Sequence, residues 1–359
     1  MRTHRVLAAR WREVIAAALI ACSGKVGGGA HGPPSNEAAD GGGPSQTGAE
    51  AGAAELEGGA DGGADAPDEL VTGLDGGPVF VYGPPDPDAS NWCAGGAVGG
   101  SRPVQVRTPS GYDCASATWP LVILLHDYGS SGASAEAYFQ FAAQADSLDF
   151  LYAHPDGTQD SVGNEFWNAT DACCDVDHSA VDDSSYLDAL IASIRIQYNA
   201  DRNRVFVFGY GNGGFMAYRL ACDHAADVTA VADFGGATWA SASECPAAAP
   251  ISALEIHGTS DATFLYDGGT NLDAAYPSAP ATIAEWIGLR RCNDDAGVEG
   301  AGLELLEDDA GTDTTVLQWP CLLDTQMALW SIQGGTHQPS LASSFTPSVL
   351  GFLLAQTKP

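Results

Sequence analysis

The segment Arg204–His224, RVFVFGYGNGGFMAYRLACDH, constrains the fold more than any other stretch of this chain. Arg204–Phe208 is a short run rich in β-branched and aromatic residues, and so reads as a buried strand. Phe215–His224 carries helical spacing. Only a handful of residues separate the two, and four of the six from 209 to 214 are glycine. A strand can meet a helix that abruptly only where side chains are absent from the crossing point. The segment therefore predicts a buried strand, a sharp turn and a helix packed back on the sheet.

The flanking sequence repeats this alternation. Pro120–His126 (PLVILLH) is a continuous apolar run, as a strand covered on both faces requires. Ser134–Leu148 reads as a helix and Phe150–His154 as a second strand, stopped by Pro155-Asp156-Gly157. Ser184–Tyr198 puts Leu187, Leu190, Ile191, Ile194 and Tyr198 on one helical stripe. Val228–Phe234, Ile251–Ile256, Thr315–Trp319 and Ala328–Ile332 are further strand candidates, and Ala281–Arg291 and Ser344–Gln356 further helices. This pattern predicts an α/β fold over residues 78–359, a mostly parallel sheet with helices on both faces. Its reactive groups should sit on loops at the carboxyl ends of strands.

The first 77 residues read differently. Arg2, Arg5, Arg10 and Arg12 precede the apolar run Val14–Ala21, which is too short to span a bilayer and reads as the core of a signal peptide. Leu19-Ile20-Ala21-Cys22 resembles the bacterial lipobox, so residues 1–22 are expected to direct export and Cys22 to carry lipid. Ordinary cleavage with Cys22 incidental is the alternative. Residues 23–77 are Gly, Ala, Pro and acids with almost no large apolar side chain, a composition expected to stay disordered as an acidic tether. The expected location is the bacterial cell envelope through that anchor, or the outside.

Charge narrows the partners. The chain of 359 residues has 14 Lys and Arg against 46 Asp and Glu, a formal net charge of −32. Such a polyanion repels phosphate backbones and anionic lipid, which argues against nucleic acid and leaves the lipid as the only membrane contact.

Chemistry concentrates at three places. Gly209-Tyr210-Gly211-Asn212-Gly213-Gly214 has the layout of a nucleophile elbow, G-x-S-x-G, with the backbone N–H of Asn212 aimed into the site. Asp261 follows the strand ending in Ile256-His257-Gly258, and His337 lies on a loop before the last helix. Position 211, then Asp261, then His337 keeps the nucleophile–acid–base chain order of α/β-hydrolases. The nucleophile is missing: Gly211 has no side chain, and no Ser, Thr or Cys lies between Gly209 and Tyr218. The expectation is an empty seat beside an intact acid and base.

The segments LVILLHDYGSSG, AHPDGT, FWNATDACCD, VDDSSYL, FGYGNGGFMAYRLACDHA, FGGATW, IHGTSD and GGTH resemble the secreted polyhydroxybutyrate depolymerase and feruloyl esterase group of α/β-hydrolases, over about Trp119–Phe352. The resemblance implies serine-type carboxylic ester hydrolysis without cofactor or metal, on a small ester, a polyester or a feruloylated glycan. It implies a second oxyanion amide at Tyr128, and Asp127, Trp167 and Trp239 around the substrate pocket. Where the family carries HGYG, this chain has His126-Asp127-Tyr128-Gly129, and where it carries GxSNGG, Gly211 replaces the serine. An inward Asp127 would set a carboxylate beside the developing oxyanion, at a cost of about 3–4 kcal/mol for charges ~4–5 Å apart at an effective dielectric near 20. Three readings follow: a degenerate esterase, weakly active or inactive; a non-catalytic binder of such ligands; or residual hydrolysis by water activated at His337.

Of nine cysteines, eight remain without Cys22, an even number in an exported chain. Order and loop placement favour Cys222–Cys245 and Cys292–Cys321, then Cys93–Cys114, and leave the adjacent Cys173 and Cys174 open. Asp171, Asp175, Asp177, Asp182 and Asp183 crowd one region where a calcium site is conceivable, but they lack the spacing of a calcium loop, and helix N-terminal charge is the simpler reading for Asp182 and Asp183. His126 and His257, each at a strand end, read as hydrogen-bond partners of loops.

Overall fold

Trp119–Leu125 (β1) lies deep in the sheet: Leu121, Val122, Ile123, Leu124 and Leu125 are all fully buried. Burial on both faces is what an unbroken apolar run demands. In the computed structural model, residues 71–72, 78–79 and 93–358 are described, except 246, 248, 291, 293–296 and 308–310. The signal segment 1–22 lies outside the described residues. So does the tether 23–77, apart from Val71–Thr72, which pairs antiparallel with Pro78–Val79.

The other strands of the main sheet are Leu151–Ala153 (β2), Ala200–Tyr210 (β3), Ala230–Phe234 (β4), Ser252–Gly258 (β5), Val298–Glu299 (β6), Thr314–Pro320 (β7) and Gln326–Ile332 (β8). Their spatial order is β6-β7-β8-β5-β4-β3-β1-β2. From β2 to β8 the neighbours run parallel, and β7 is antiparallel to both β6 and β8. The two last strand candidates thus form a hairpin across Cys321–Thr325, because five residues are too few for a crossover. No helix among the described residues is long and apolar enough to cross a membrane.

Alternation along the strands divides the core. Leu121, Ile123, Leu125, Val205, Val207, Val231 and Ala253 face the helices Asp183–Tyr198 (α2), Asn212–Asp223 (α3) and Ala279–Arg290 (α4). Val122, Leu124, Phe206, Phe208, Ala232 and Ile256 face Gly132–Phe139 (α1) and Phe345–Leu354 (α5). The helix expected over 134–148 is broken at Gln140, which takes a left-handed φ of 57° and caps α1 through its N–H on Glu136 O. Phe139 and Phe141 explain the break. Two residues apart on a helix they would point to opposite sides, yet both bury in the aromatic cluster around Phe208, at 4.8 and 5.0 Å between ring centres.

All eight described cysteines are paired, Cys93–Cys114, Cys222–Cys245 and Cys292–Cys321 as expected, and Cys173 with Cys174. The chain moves outward from β1 to β2 and then returns to place β3 on the opposite side of β1. The loops leaving β1 and β3 therefore diverge, one toward α1 and one toward α3. The crevice between them is where an open α/β sheet binds its ligands.

Candidate active site

The turn after β3 has the strained geometry its glycines suggested. Gly211 sits at φ 52°, ψ −115°. Its N–H donates to Phe234 O at 2.9 Å, and its carbonyl accepts from Gly214 N and Phe215 N at 2.9 and 3.2 Å. Gly213 runs against the backbone of Leu125 so closely that no side chain fits there. These contacts point the Asn212 N–H out of the first turn of α3 and into the crevice.

Position 211 is not the vacancy that the sequence suggests. The carboxylate of Asp127, from the loop after β1, fills the space. A Cβ placed on Gly211 would overlap both Oδ1 and Cγ of Asp127. Asp127 Oδ1 accepts the Asn212 N–H at 2.8 Å, and Oδ2 lies 3.1 Å from His337 Nε2. His337 Nδ1 lies 2.7 Å from Asp261 Oδ2. Asp261 in turn is held by the N–H groups of Thr263 and Phe264 on Oδ1, at 2.8 and 3.0 Å. Gly211, Asn212, Asp261 and His337 thus converge as the sequence implied, with Asp127 at their centre.

Electrostatics follow from that geometry. Burial works against a charged imidazole at His337, but the hydrogen bonds and charges of Asp127 and Asp261 outweigh it and raise the ring to about 9. At neutral pH it is an imidazolium clamped between two carboxylates. Its ring also stacks on Tyr210 at 5.1 Å. Asp127 and His337 keep side-chain exposures of 18% and 13%, so one side of the pair faces solvent.

Around this centre the neighbours are positioned by hydrogen bonds. Asn212 clamps Trp167 at both backbone groups, accepting its N–H at 2.7 Å and donating to its carbonyl at 2.8 Å, and touches Cys173 Sγ at 3.4 Å. Trp167 itself is fully buried, with its indole N–H on His126 O at 3.1 Å. It therefore packs in the core and offers no surface to a ligand, whereas Trp239 is half-buried. The Tyr128 hydroxyl donates to Asp160 at 2.6 Å and accepts from Asn164 at 3.2 Å. His126 accepts the Gly157 N–H at 2.9 Å and lies 2.7 Å from Asp127 O through Nδ1; burial lowers its basicity. A cavity of about 400 Å³ lined by Arg102, Asp156, Thr158 and Glu165 includes none of the converging residues.

His126, Asp156 and Glu165 stand close enough to share an ion, but His126 has already given both ring nitrogens to the backbone, so it has no lone pair left for a metal. Four of the five aspartates after Trp167 are caps and pairs: Asp182 accepts from Ser185 N at 2.9 Å, Asp175 from Ser179 N and Ala180 N, Asp177 from Ser161 N, and Asp183 pairs with Arg102 at 2.7 Å.

One feature was not legible in the sequence. Behind the elbow, the fully buried Asp233 and Glu255 share a hydrogen bond, and burial raises both, Glu255 to about 8. Glu255 also accepts from Tyr218 OH at 2.8 Å and lies 3.0 Å from His257 Nδ1. His257 Nε2 donates to Phe264 O at 2.8 Å, on the turn that holds Asp261. Acids inside predicted strands, in Ala-Asp-Phe and Leu-Glu-Ile, were the available signal.

Residues 114–279 match the phospholipase/carboxylesterase family model. The chain is similar to feruloyl esterase B of Piromyces equi, 26% identical over 247 residues, covering 66% of this chain and 42% of that protein. It is similar to feruloyl esterase D of Neurospora crassa, 26% identical over 254 residues, covering 67% and 76%. The match spans less than half of two of these relatives, 42% of feruloyl esterase B and 45% of the putative esterase NocK of Nocardia uniformis. Among solved structures, the acetyl xylan esterase from Aspergillus awamori superposes with a TM-score of 0.52 at 14% identity, covering 72% of this chain and 98% of that one. That likeness concerns fold. With the mostly parallel sheet and the chain order of the site, these findings make the chain an esterase-like α/β-hydrolase.

Proposed function

We propose that this protein is an exported, esterase-derived α/β-hydrolase that no longer hydrolyses esters by a serine mechanism, because its own carboxylate occupies the acyl-transfer site. The observation that carries the reading is the double engagement of Asp127, with one oxygen on the Asn212 amide and the other on His337. Ester hydrolysis needs the amide free for the substrate's oxyanion and the imidazole free as a base. Asp127 takes both. Gly211 offers no nucleophile in exchange. Hydrolysis by a water activated at His337 finds less support, since an imidazole raised to about 9 is protonated at neutral pH.

Esters of the kind named for the relatives, feruloyl and acetyl-xylan esters among them, or a polyester chain, are the ligand class the ancestral cleft suits. Lipidation at Cys22 would hold the domain at the cell envelope on its acidic tether. The test is hydrolysis of p-nitrophenyl acetate. The native protein should match buffer, and Gly211→Ser combined with Asp127→Gly should hydrolyse the ester in a His337-dependent manner. Native turnover abolished by His337→Ala would overturn the reading.

A further inference from the structure

Asp171 differs from Asp175, Asp177, Asp182 and Asp183 in having no hydrogen bond and no ion pair among the described residues. It lines a cavity of about 260 Å³ whose walls include Asn168, Thr170, Asp175, His178 and Leu272. Neither Lys nor Arg lines that cavity, and no residue of the Asp127–His337 centre does.

The walls are held in place by contacts that leave their facing groups uncommitted. The Asn168 N–H donates to Asp183 Oδ2 at 2.8 Å, and its carbonyl accepts from Arg219 Nη1 at 2.8 Å. Asp175 accepts the N–H groups of Ser179 and Ala180 at 2.9 and 2.7 Å, which fix the carboxylate without cancelling its charge. Leu272 comes from the turn between Gly269–Asn271 and Ala274–Tyr276, and Asn271 Nδ2 ties that hairpin to Ala172 O at 2.7 Å. One wall carries an unsatisfied group. Thr170 is only 6% exposed, its backbone N–H and carbonyl are both paired with Cys173, and its hydroxyl oxygen is enclosed without a partner. Buried hydroxyls in folded chains are nearly always paired, so a lone one in the wall of a carboxylate-lined cavity points to a donor that the cavity admits.

We propose that this cavity binds a protonated primary amine carried on a compact polar ring, the chemistry of an unacetylated hexosamine. Two carboxylates without a basic residue in the walls select a cation, and the chain's net charge of −32 draws cations toward it. A bare metal ion is disfavoured, because Asp171, Asp175 and His178 do not bring three ligand atoms together. The cavity is also several times the ~30 Å³ share of one water, which leaves room for a ring. An ammonium brings three donors, matching two carboxylates and one unpaired hydroxyl. Asn168 spends its Nδ2 on Val181 O at 2.8 Å and keeps Oδ1 to accept from a ring hydroxyl. Leu272 gives the C–H face of the ring an apolar contact. The site is separate from the crevice, so the proposal does not depend on the loss of ester hydrolysis.

The test is calorimetric titration of the full chain at neutral pH with D-glucosamine, N-acetylglucosamine, glucose and putrescine. Glucosamine should bind saturably. Acetylation removes its charge and glucose has none, so both should bind at least about tenfold more weakly, as should putrescine, which has amines and no ring. Asp171→Asn keeps the shape of the wall and should weaken glucosamine about tenfold, the scale of a hydrogen bond to a charged group. Thr170→Val should weaken it several-fold and leave the melting temperature of the free protein undiminished, because the hydroxyl it removes has no partner there. Glu299→Gln, at the exposed sheet edge and outside the cavity walls, should change nothing. The proposal is overturned by an absence of saturable binding, or by glucose or N-acetylglucosamine binding as tightly as glucosamine. Equal losses in Asp171→Asn and Glu299→Gln, the mark of surface charge alone, would overturn it too. Putrescine binding as tightly as glucosamine would remove the ring and with it the hexosamine class.

Discussion

Asp127 and Gly211 contend for one volume: the Asp127 carboxylate stands where the side chain of any other residue at 211 would begin. The pair therefore cannot be repaired one position at a time. Gly211→Ser alone should give no esterase activity and should cost about 1–3 kcal/mol of stability, the scale of overpacking a filled site. Adding Asp127→Gly should recover the lost stability and admit the ester. Chemical denaturation of the three variants beside the p-nitrophenyl acetate assay checks both halves. Equal stability of the single and double variants would show that the two positions are independent.

Stability should fall as pH rises above neutrality. Between pH 6.5 and about 9 the folded protein holds a proton on His337 that the unfolded chain has lost. Its contribution is thus complete below 6.5 and lost as pH rises through about 9. Glu255, raised to about 8, acts in the same direction from its ordinary value near 4.5 upward. For His337 the span corresponds to at most about 3 kcal/mol. His337→Gln should flatten the slope above pH 6.5 and leave the slope from the buried acids in place. Melting temperatures from pH 5 to 9 for both proteins decide it.

Asn212→Ala should destabilise the domain by about 1–3 kcal/mol. The substitution strips the partner from the Trp167 N–H in a spot without solvent, and leaves its carbonyl only the longer bond from the Cys174 N–H at 3.4 Å. The Asn212 N–H that meets Asp127 belongs to the backbone and survives the change. Urea unfolding together with near-ultraviolet dichroism of the buried indole would register it.

Replacing Cys222 and Cys245 by Ala should cost about 3 kcal/mol by the loop-entropy scale, since the bridge closes residues 23 apart. The bridge ties the last turn of α3 to the segment entering β5, so the loss should show in unfolding rather than in the pairing of Asp127 with His337.

The sheet and its helices were legible because their signals are local and repetitive. Continuous apolar runs such as 120–125 can satisfy their surroundings only inside a covered sheet. The helix break at Gln140 was not legible, since it depends on where Phe139 and Phe141 find partners among strands distant in sequence. At the site, the acid, the base and the turn were readable from residue type and chain order. Both departures, Asp127 and Gly211, were visible too, but 84 positions apart they read as separate losses. Only the adjacency of β1 and β3 shows one side chain standing in the place of the other. The Asp233–Glu255 pair was hidden for a related reason: an acid in a strand discloses its partner only when the next strand is laid beside it.

The reversal of strand order between β1 and β3 has a consequence for how such sites change. The loops after β1 and β3 meet at one point, and a side chain from the first stands where one from the second would begin. The ring and its orienting acid need no rearrangement for either loop to fill that point. What faces the imidazole is thus set by position in the crevice, whichever loop supplies it.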